Sequence, residues 1–580
     1  MVHGTELWLH GAMHEIRRAA PLLLASLAAS AFLATPALAE TYEVGDGMPY
    51  TAIGDVPWES LMPGDIVRIH HRASPYNEKW VIGRRGTEAA PIIIQGVPGA
   101  GGELPIIDGR DATTRSALRY TNQSRGVIKV GSSDTPADTL PAWIVIENLD
   151  VRSGRAPFSF EGPGGGSDTY SDNAAAIYVE KAEHLVIRNC ILRDSGNGLF
   201  IGAFDGQTQN VLIEGNWIHD NGIEGSVYQH NSYTAAIDIV FQHNHYGPLR
   251  TGCDGNNLKD RSAGLVVRYN WIESGNRQLD LVDAEDSAVL VAHPRYHETF
   301  VYGNVLAEHE GDGNSQMVHY GGDSGTEADY RKGTLHFFNN TVVSTRDGNT
   351  TLVRLSTYEE AADVRNNVVY VTTDGGRLAM LSRSGTLRLS HNWMKAGWVD
   401  SHDTFGGSIT DDGTGITGSV PGFTDEAGQD YHLADGSDCI DAATDLLAAV
   451  LPAHDVAMQY VRHQIAEARP FDGALDVGAF EWCAPGACAP RPDAGVPPSD
   501  GGGPGTDGGG PGTDGGGPGT DGSTTGRDGG PGATAGEDGG CGCEAVGRGE
   551  PRWGLALALG LLFATRLRRR RRRGPPRCRR

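Results

Sequence analysis

Apolar and polar residues alternate along most of this chain, and nine times the alternation ends on an asparagine just before the next apolar residue. The segments VIENL, VIRNCI, LIEGNWI, FQHNHY, VVRYNWI, VYGNVL, FFNNTV, VRNNVV and LSHNWM place Asn148, Asn189, Asn216, Asn244, Asn270, Asn304, Asn340, Asn367 and Asn392 at equivalent points, 25 to 41 residues apart. A period of two predicts strands that bury one face, and the Asn, Gly and Asp between them predict turns. Repeats this short cannot be separate domains; each fits one coil of a solenoid. Stacking brings every side chain about 4.8 Å from its equivalent in the next coil. An asparagine repeated at a turn can then bond its amide to the next copy and to backbone otherwise buried unpaired.

A second strand follows each asparagine: GLFIG from Gly198, SVYQH from Ser226, NNLKDR from Asn256, RQLDLVD from Arg277, SQMVHY from Ser315 and TLVRLS from Thr351. With the apolar residues inward, aligning these strands predicts an outward stripe of Gln229 or His230, Lys259, Asp280, His319 and Arg354, one strand spacing apart. Asp260 falls on the inward parity, where a structural role is expected. Trp217, Trp271 and Trp393 directly follow ladder asparagines and read as core. Cys190, next to Asn189, reads as a small buried residue.

The segments YTAIGDVPWESLMPGDIVRIHH, GTEAAPIIIQGVPG and PIIDG near the start, and DYHLADGSDCIDAA with DVGAFEW near the end, resemble secreted β-helix proteins that act on polysaccharides. Together with the asparagine series they make the chain similar to the right-handed parallel β-helix of the pectate lyase-like superfamily, over roughly residues 41 to 482. The resemblance implies an all-β solenoid; it does not fix the chemistry.

Both ends read as sorting signals. Arg17 and Arg18, the apolar run Ala19 to Leu33 and Ala37-Leu38-Ala39 predict a secretory signal peptide over residues 1–39, with Met13 a candidate initiator. Residues 40–486 form the expected β-helix domain. Residues 487–540, with DGGGPGT three times, are too poor in apolar residues to pack a core and predict a flexible linker. Residues 541–580 hold Cys541 and Cys543, an apolar stretch from Trp553 to Thr565 and ten arginines after it. This tail resembles the MYXO-CTERM sorting tails of myxobacterial surface proteins, which implies a sorting protease acting near Cys541 and Cys543. The other reading is a transmembrane anchor, for which the stretch is short against the roughly 20 residues a spanning helix needs. Either reading places the protein outside the cytoplasm, at the cell surface or outer membrane, or released; a monomer is expected.

The full chain carries −25; the neutral signal segment and the ten tail arginines leave the remainder at −35. So acidic a body argues against nucleic acid as partner. Residues 250–277 run the other way: Arg250, Lys259, Arg261, Arg268 and Arg277 outnumber Asp254, Asp260 and Glu273. That local surplus predicts an anionic ligand, with Arg250, Arg277, Asn231 and His319 as candidate substrate-binding residues. Eight cysteines make little disulfide framework for 580 residues, though Cys483 and Cys488 are close enough to pair.

The combination His230-Asn231-Ser232-Tyr233 with Lys259-Asp260-Arg261-Ser262 resembles β-helix proteins that degrade polysaccharides, some of which are lyases with an outward lysine as base and an arginine nearby. By that resemblance Lys259 is the base of a β-elimination. Arg261, or a calcium ion on Asp254, Asp280 and Asp283, would neutralise the uronate carboxylate that makes the adjacent proton acidic. Partial burial beside a guanidinium is expected to lower the Lys259 pKa, and Tyr233 or His230 would return a proton to the leaving oxygen. Asp280, Asp283, Glu285 and Asp286 support a second reading, hydrolysis by paired carboxylates. A third is a non-catalytic surface adhesin or glycan-binding solenoid. The polygalacturonase set of NTD, DD, GHG and RIK is absent, Asp411-Asp412 lacks companions, and the WIDH-type pectate lyase motif is missing.

Overall fold

The computed structural model describes residues 39–484, Gly486 and 488–490. The expected signal peptide up to Leu38, the linker from Arg491, Cys541, Cys543 and the Trp553 to Thr565 stretch lie outside the described residues. Three parallel sheets of 13, 11 and 10 strands wind around one axis, and each coil visits them in turn. One coil runs Glu183–Arg188, Ile191–Arg193 and Asn197–Ile201; the next runs Gln209–Glu214, Trp217–His219 and Ser232–Thr234. This is a right-handed parallel β-helix. In the first-sheet strands alternate residues such as Leu185 and Ile187, then Val211 and Ile213, fill the interior, as the period of two requires.

The asparagine ladder exists with a shorter membership than the sequence suggests. Each of Asn216, Asn244, Asn270, Asn304, Asn340 and Asn367 donates its amide to the carbonyl oxygen of the next asparagine at 2.9 to 3.0 Å, ending on Asn392. The same oxygen accepts the previous backbone N–H, and the amide also reaches a strand carbonyl one coil back, as Asn270 does to Phe241 at 3.0 Å. Asn148 and Asn189 stand one residue earlier, with φ of 59° and 53°. Their neighbours in register are Gly215, His243, Tyr269 and Gly303, which also have positive φ. In the coil of Asn189 the ladder position belongs to Cys190, whose N–H donates to Asn216 at 3.0 Å and whose thiol is fully buried. Cys190→Asn should therefore extend the ladder by one rung and stabilise the chain by about 1 kcal/mol; a fall in thermal midpoint would reject this equivalence.

Trp271 and Trp393 are buried, but outside the coil. Ile272 and Met394 take the inward positions, and the tryptophans are covered by Tyr431, Leu433, Tyr460, Val477 and Phe480 of the returning C-terminal segment. Trp217 is only half-buried and stacks on His219 at 3.9 Å. Leu446, Val450 and Val456 likewise cover Val266, Tyr269, Phe300 and Tyr302 of the first sheet. The C-terminal segment thus shields two outer faces. Cys483 and Cys488 form a disulfide. Among the described residues no helix is long and apolar enough to cross a membrane.

Candidate functional site

The third sheet keeps one face uncovered by that segment, and its outward stripe is fixed by register. Tyr233 pairs with Lys259, Lys259 with Asp280, Asp280 with His319 and His319 with Arg354. Tyr233 therefore holds the place expected of Gln229 or His230. The coil forms its strand at Ser232–Thr234, because Ser226 to His230 lie in the long turn that precedes it. Toward the N-terminal coils the stripe continues through Phe200 and Tyr178. Phe200 stacks on Tyr233 with centroids 5.3 Å apart, so these rings present edges and not open faces for a sugar.

Inward-facing Asp260 is the anchor beneath the stripe. It accepts Thr234 Oγ1 at 2.7 Å and Ser262 Oγ at 2.8 Å, and pairs with Arg331 at 3.2 Å, all fully buried. Arg331 also donates to the carbonyls of Val282 and Ser262 at 2.9 and 2.8 Å. Its coil-spanning grip fixes the far end of the loop from Gly321 to Lys332, and Ser356 holds the near end through Gly322 N–H at 2.9 Å. Gly322 is required here, since a Cβ would collide with the Tyr330 ring.

That loop delivers a residue the sequence reading overlooked. Asp323 pairs with Lys259 Nζ through one oxygen and with Arg261 at 2.9 Å through the other. Lys259 also meets Asp280 at 3.2 Å, and Arg261 meets Glu285 at 3.0 Å and Asp283 at 3.5 Å. The Tyr233 hydroxyl oxygen accepts Arg261 Nε–H at 2.8 Å. The glycine pair after an outward strand was the available signal, because it lets a loop fold back over its own sheet.

These partners correct the electrostatic expectation. Burial by itself would lower the Lys259 pKa, but the Asp280 and Asp323 carboxylates outweigh it and hold the amine above its ordinary value. Burial would raise Asp280, yet Lys259 and a His319 Nδ1 2.8 Å away keep it well below the carboxylate range. Asp323 is lowered too, with Lys259 and Arg261 overcoming its burial. Glu285 is raised, chiefly by burial. His319 is pushed down to about 4 by burial, and His230 down to about 3 by burial and then Lys259. His230 Nδ1 accepts the Asn256 N–H at 2.9 Å, so a neutral ring carries its proton on Nε2.

The other expected site residues divide. Arg277 stays near the stripe, 4.0 Å from Asp280 and 3.1 Å from Gln316. Asn231 is fully buried and bonds Asn221, Asn257 and the Gly247 carbonyl, which makes it a corner support and not a substrate contact. Arg250 sits on the neighbouring corner beside Gly222 and Cys253. Asp254 is exposed in that turn, while Asp280 and Asp283 are engaged by Lys259, His319 and Arg261. As a calcium-binding set the three do not converge, and among the described residues no group of three or more His, Cys, Asp or Glu is spaced to hold a metal ion. The sequence-local positive surplus is also offset in space, because Asp280, Asp283, Glu285 and Asp323 come from later coils.

No family model matches the sequence, and no curated protein matches it. Among solved structures, similar chains include an alginate lyase from Paenibacillus sp. str. FPU-7 at 14% identity, TM-score 0.36, covering 61% of this chain and 99% of that one. Pectate lyase Pel9A is 11% identical with TM-score 0.37, covering 76% and 96%. A GH136 lacto-N-biosidase from Eubacterium ramulus is 12% identical with TM-score 0.36, covering 66% and 68%. These scores assign no activity to this chain.

Proposed function

We propose that the chain is an exported enzyme that cleaves a uronate-containing extracellular polysaccharide by β-elimination at Lys259 and Arg261. The observation that supports this reading is Asp323, a partly exposed carboxylate held between the two cations. A carboxylate is what a uronate residue would bring to the same place. In this reading the substrate carboxylate displaces Asp323, and Arg261 neutralises it, which acidifies the proton on the adjacent carbon. With the incoming carboxylate held on Arg261, the departure of the Asp323 oxygen bound to Lys259 leaves the amine beside Asp280 alone, which favours its neutral form. The neutral amine takes the proton, a carbon–carbon double bond forms, the glycosidic carbon–oxygen bond breaks, and the Tyr233 hydroxyl supplies a proton to the leaving oxygen.

The assay is incubation of the purified protein with a panel of polyuronates, with and without calcium, while following the ultraviolet absorbance of unsaturated uronates. No absorbance change across the panel would sink the reading. A pH signature goes with it: kcat/KM should climb with pH as Lys259 deprotonates. Asp280→Asn removes an anion that favours the charged amine, so its limb should move to lower pH. An unmoved limb would show that another group is titrating.

One observation favours a second reading, hydrolysis. Asp323 and Glu285 share a guanidinium nitrogen of Arg261 while their pKa values are pushed in opposite directions. A lowered and a raised carboxyl are the two halves of acid–base glycoside cleavage. New reducing ends without the unsaturated chromophore would select it.

A further inference from the structure

Outside this centre, a groove of about 400 Å³ opens where the chain leaves the second sheet, lined by Arg110, Arg152, Arg193, Arg250, Asp194 and Asp220. Arg152 and Arg193 are neighbours in register at the ends of adjacent second-sheet strands, which stacks two guanidinium groups one rung apart. Each is oriented by a carboxylate beneath it: Arg152 by Asp108 at 3.1 Å, and Arg193 by both oxygens of Asp150 at 3.1 and 2.7 Å. Arg155, paired with Asp194 at 2.8 Å, and Arg110 lie over the Phe158 ring at 4.3 and 4.6 Å. Arg110 and Arg250 form no ion pair among the described residues. The Arg250 Nε is buried without a hydrogen-bond partner.

We propose that this groove is a second binding site, for the anionic residues of a polysaccharide, separate from the Lys259 centre. Five guanidinium groups, Arg110, Arg152, Arg155, Arg193 and Arg250, against four carboxylates, Asp108, Asp150, Asp194 and Asp220, leave the groove locally positive in a body of −35, and their planar donors match a uronate carboxylate or sugar sulfate. Asp194 and Asp220 supply acceptors for sugar hydroxyls, a mixture that suits a glycan better than a polyphosphate. The volume falls in the range of about 300 to 1,000 Å³ typical of small-ligand sites, enough for a short stretch of the chain and not for a folded partner. The ligand class rests on the polyuronate reading above; the location does not.

The test is binding, measured by calorimetry on full-length protein carrying Lys259→Arg, so that turnover does not consume the probe. Probes are an oligouronate, a sulfated oligosaccharide, a neutral oligosaccharide and single-stranded DNA. Adding Arg110→Ala and Arg250→Ala should weaken oligouronate or sulfated-oligosaccharide binding by about 10- to 100-fold, with the steeper loss naming the anionic group. Exposed Arg110→Glu, which leaves buried contacts untouched, should do the same by itself. Unchanged affinity in both variants would overturn the proposal, as would equal affinity for the neutral sugar or the DNA. Cleavage by the protein with Lys259 intact, without groove-dependent binding, rejects the groove alone; groove-dependent binding with no cleavage by the protein with Lys259 intact rejects the lyase alone.

Discussion

Substituting Lys259 by arginine should cut kcat/KM on the cleaved polyuronate by about 10²- to 10⁴-fold and leave the thermal midpoint nearly unchanged. Lys259 is buried between Asp280 and Asp323. Arginine keeps a positive charge in that position, so the two carboxylates remain compensated. It does not deprotonate in proteins, so it cannot serve as the base. A purely structural cation would tolerate the exchange with activity intact, and that result would reject the catalytic role. Lys259→Met is the informative companion. It should abolish turnover and also destabilise the chain by about 3 to 5 kcal/mol, because removing one partner of a buried ion pair strands the other. Chemical unfolding of the two variants beside wild type therefore separates the chemistry of Lys259 from its structural charge.

A stability effect of the same size is expected at the middle of the ladder. Asn270→Ala removes the oxygen that accepts both the backbone N–H and the side-chain amide of Asn244, at 3.0 and 2.9 Å. It also removes the donor to Phe241 and to Asn304. Several buried polar groups are left unpaired together, each costing about 1 to 3 kcal/mol, so a loss of about 3 to 5 kcal/mol is expected by urea unfolding. A loss below about 1 kcal/mol would mean that the ladder accompanies the fold without holding it.

What could be read from residue order was whatever repeats. The coil length, the buried parity of Leu185 and Ile187, the amide ladder and the juxtaposition of Lys259 with Asp280 all follow from a period of two combined with a recurring turn. Where the reading slipped by one residue, at Asn148 and Asn189, the cause is local: asparagine is favoured both at the ladder position and at the left-handed residue before it. Where it slipped further, at Gln229 and His230, a turn longer than in neighbouring coils moved the strand to Ser232–Thr234.

The chemistry of the centre lay beyond such reasoning. The positive run from Arg250 to Arg277 is a property of neighbours in sequence, whereas charge acts between neighbours in space. Asp323 lies more than 60 residues from Lys259 and Arg261; the Arg331 anchor on Asp260, the tight turn at Gly321-Gly322 held by Ser356, and the Asp323 N–H donated to Asp283 at 2.8 Å bring it over them. The sequence by itself determined the solenoid and the faces of its strands, because a stacked repeat turns separation along the chain into rungs of fixed spacing. The tertiary structure alone decided that Asp323 joins Asp280 beside Lys259, and so the charge that the pair holds there. Loops between coils have no repeat to predict them, and ion pairing at about 3 Å depends on where those loops fold.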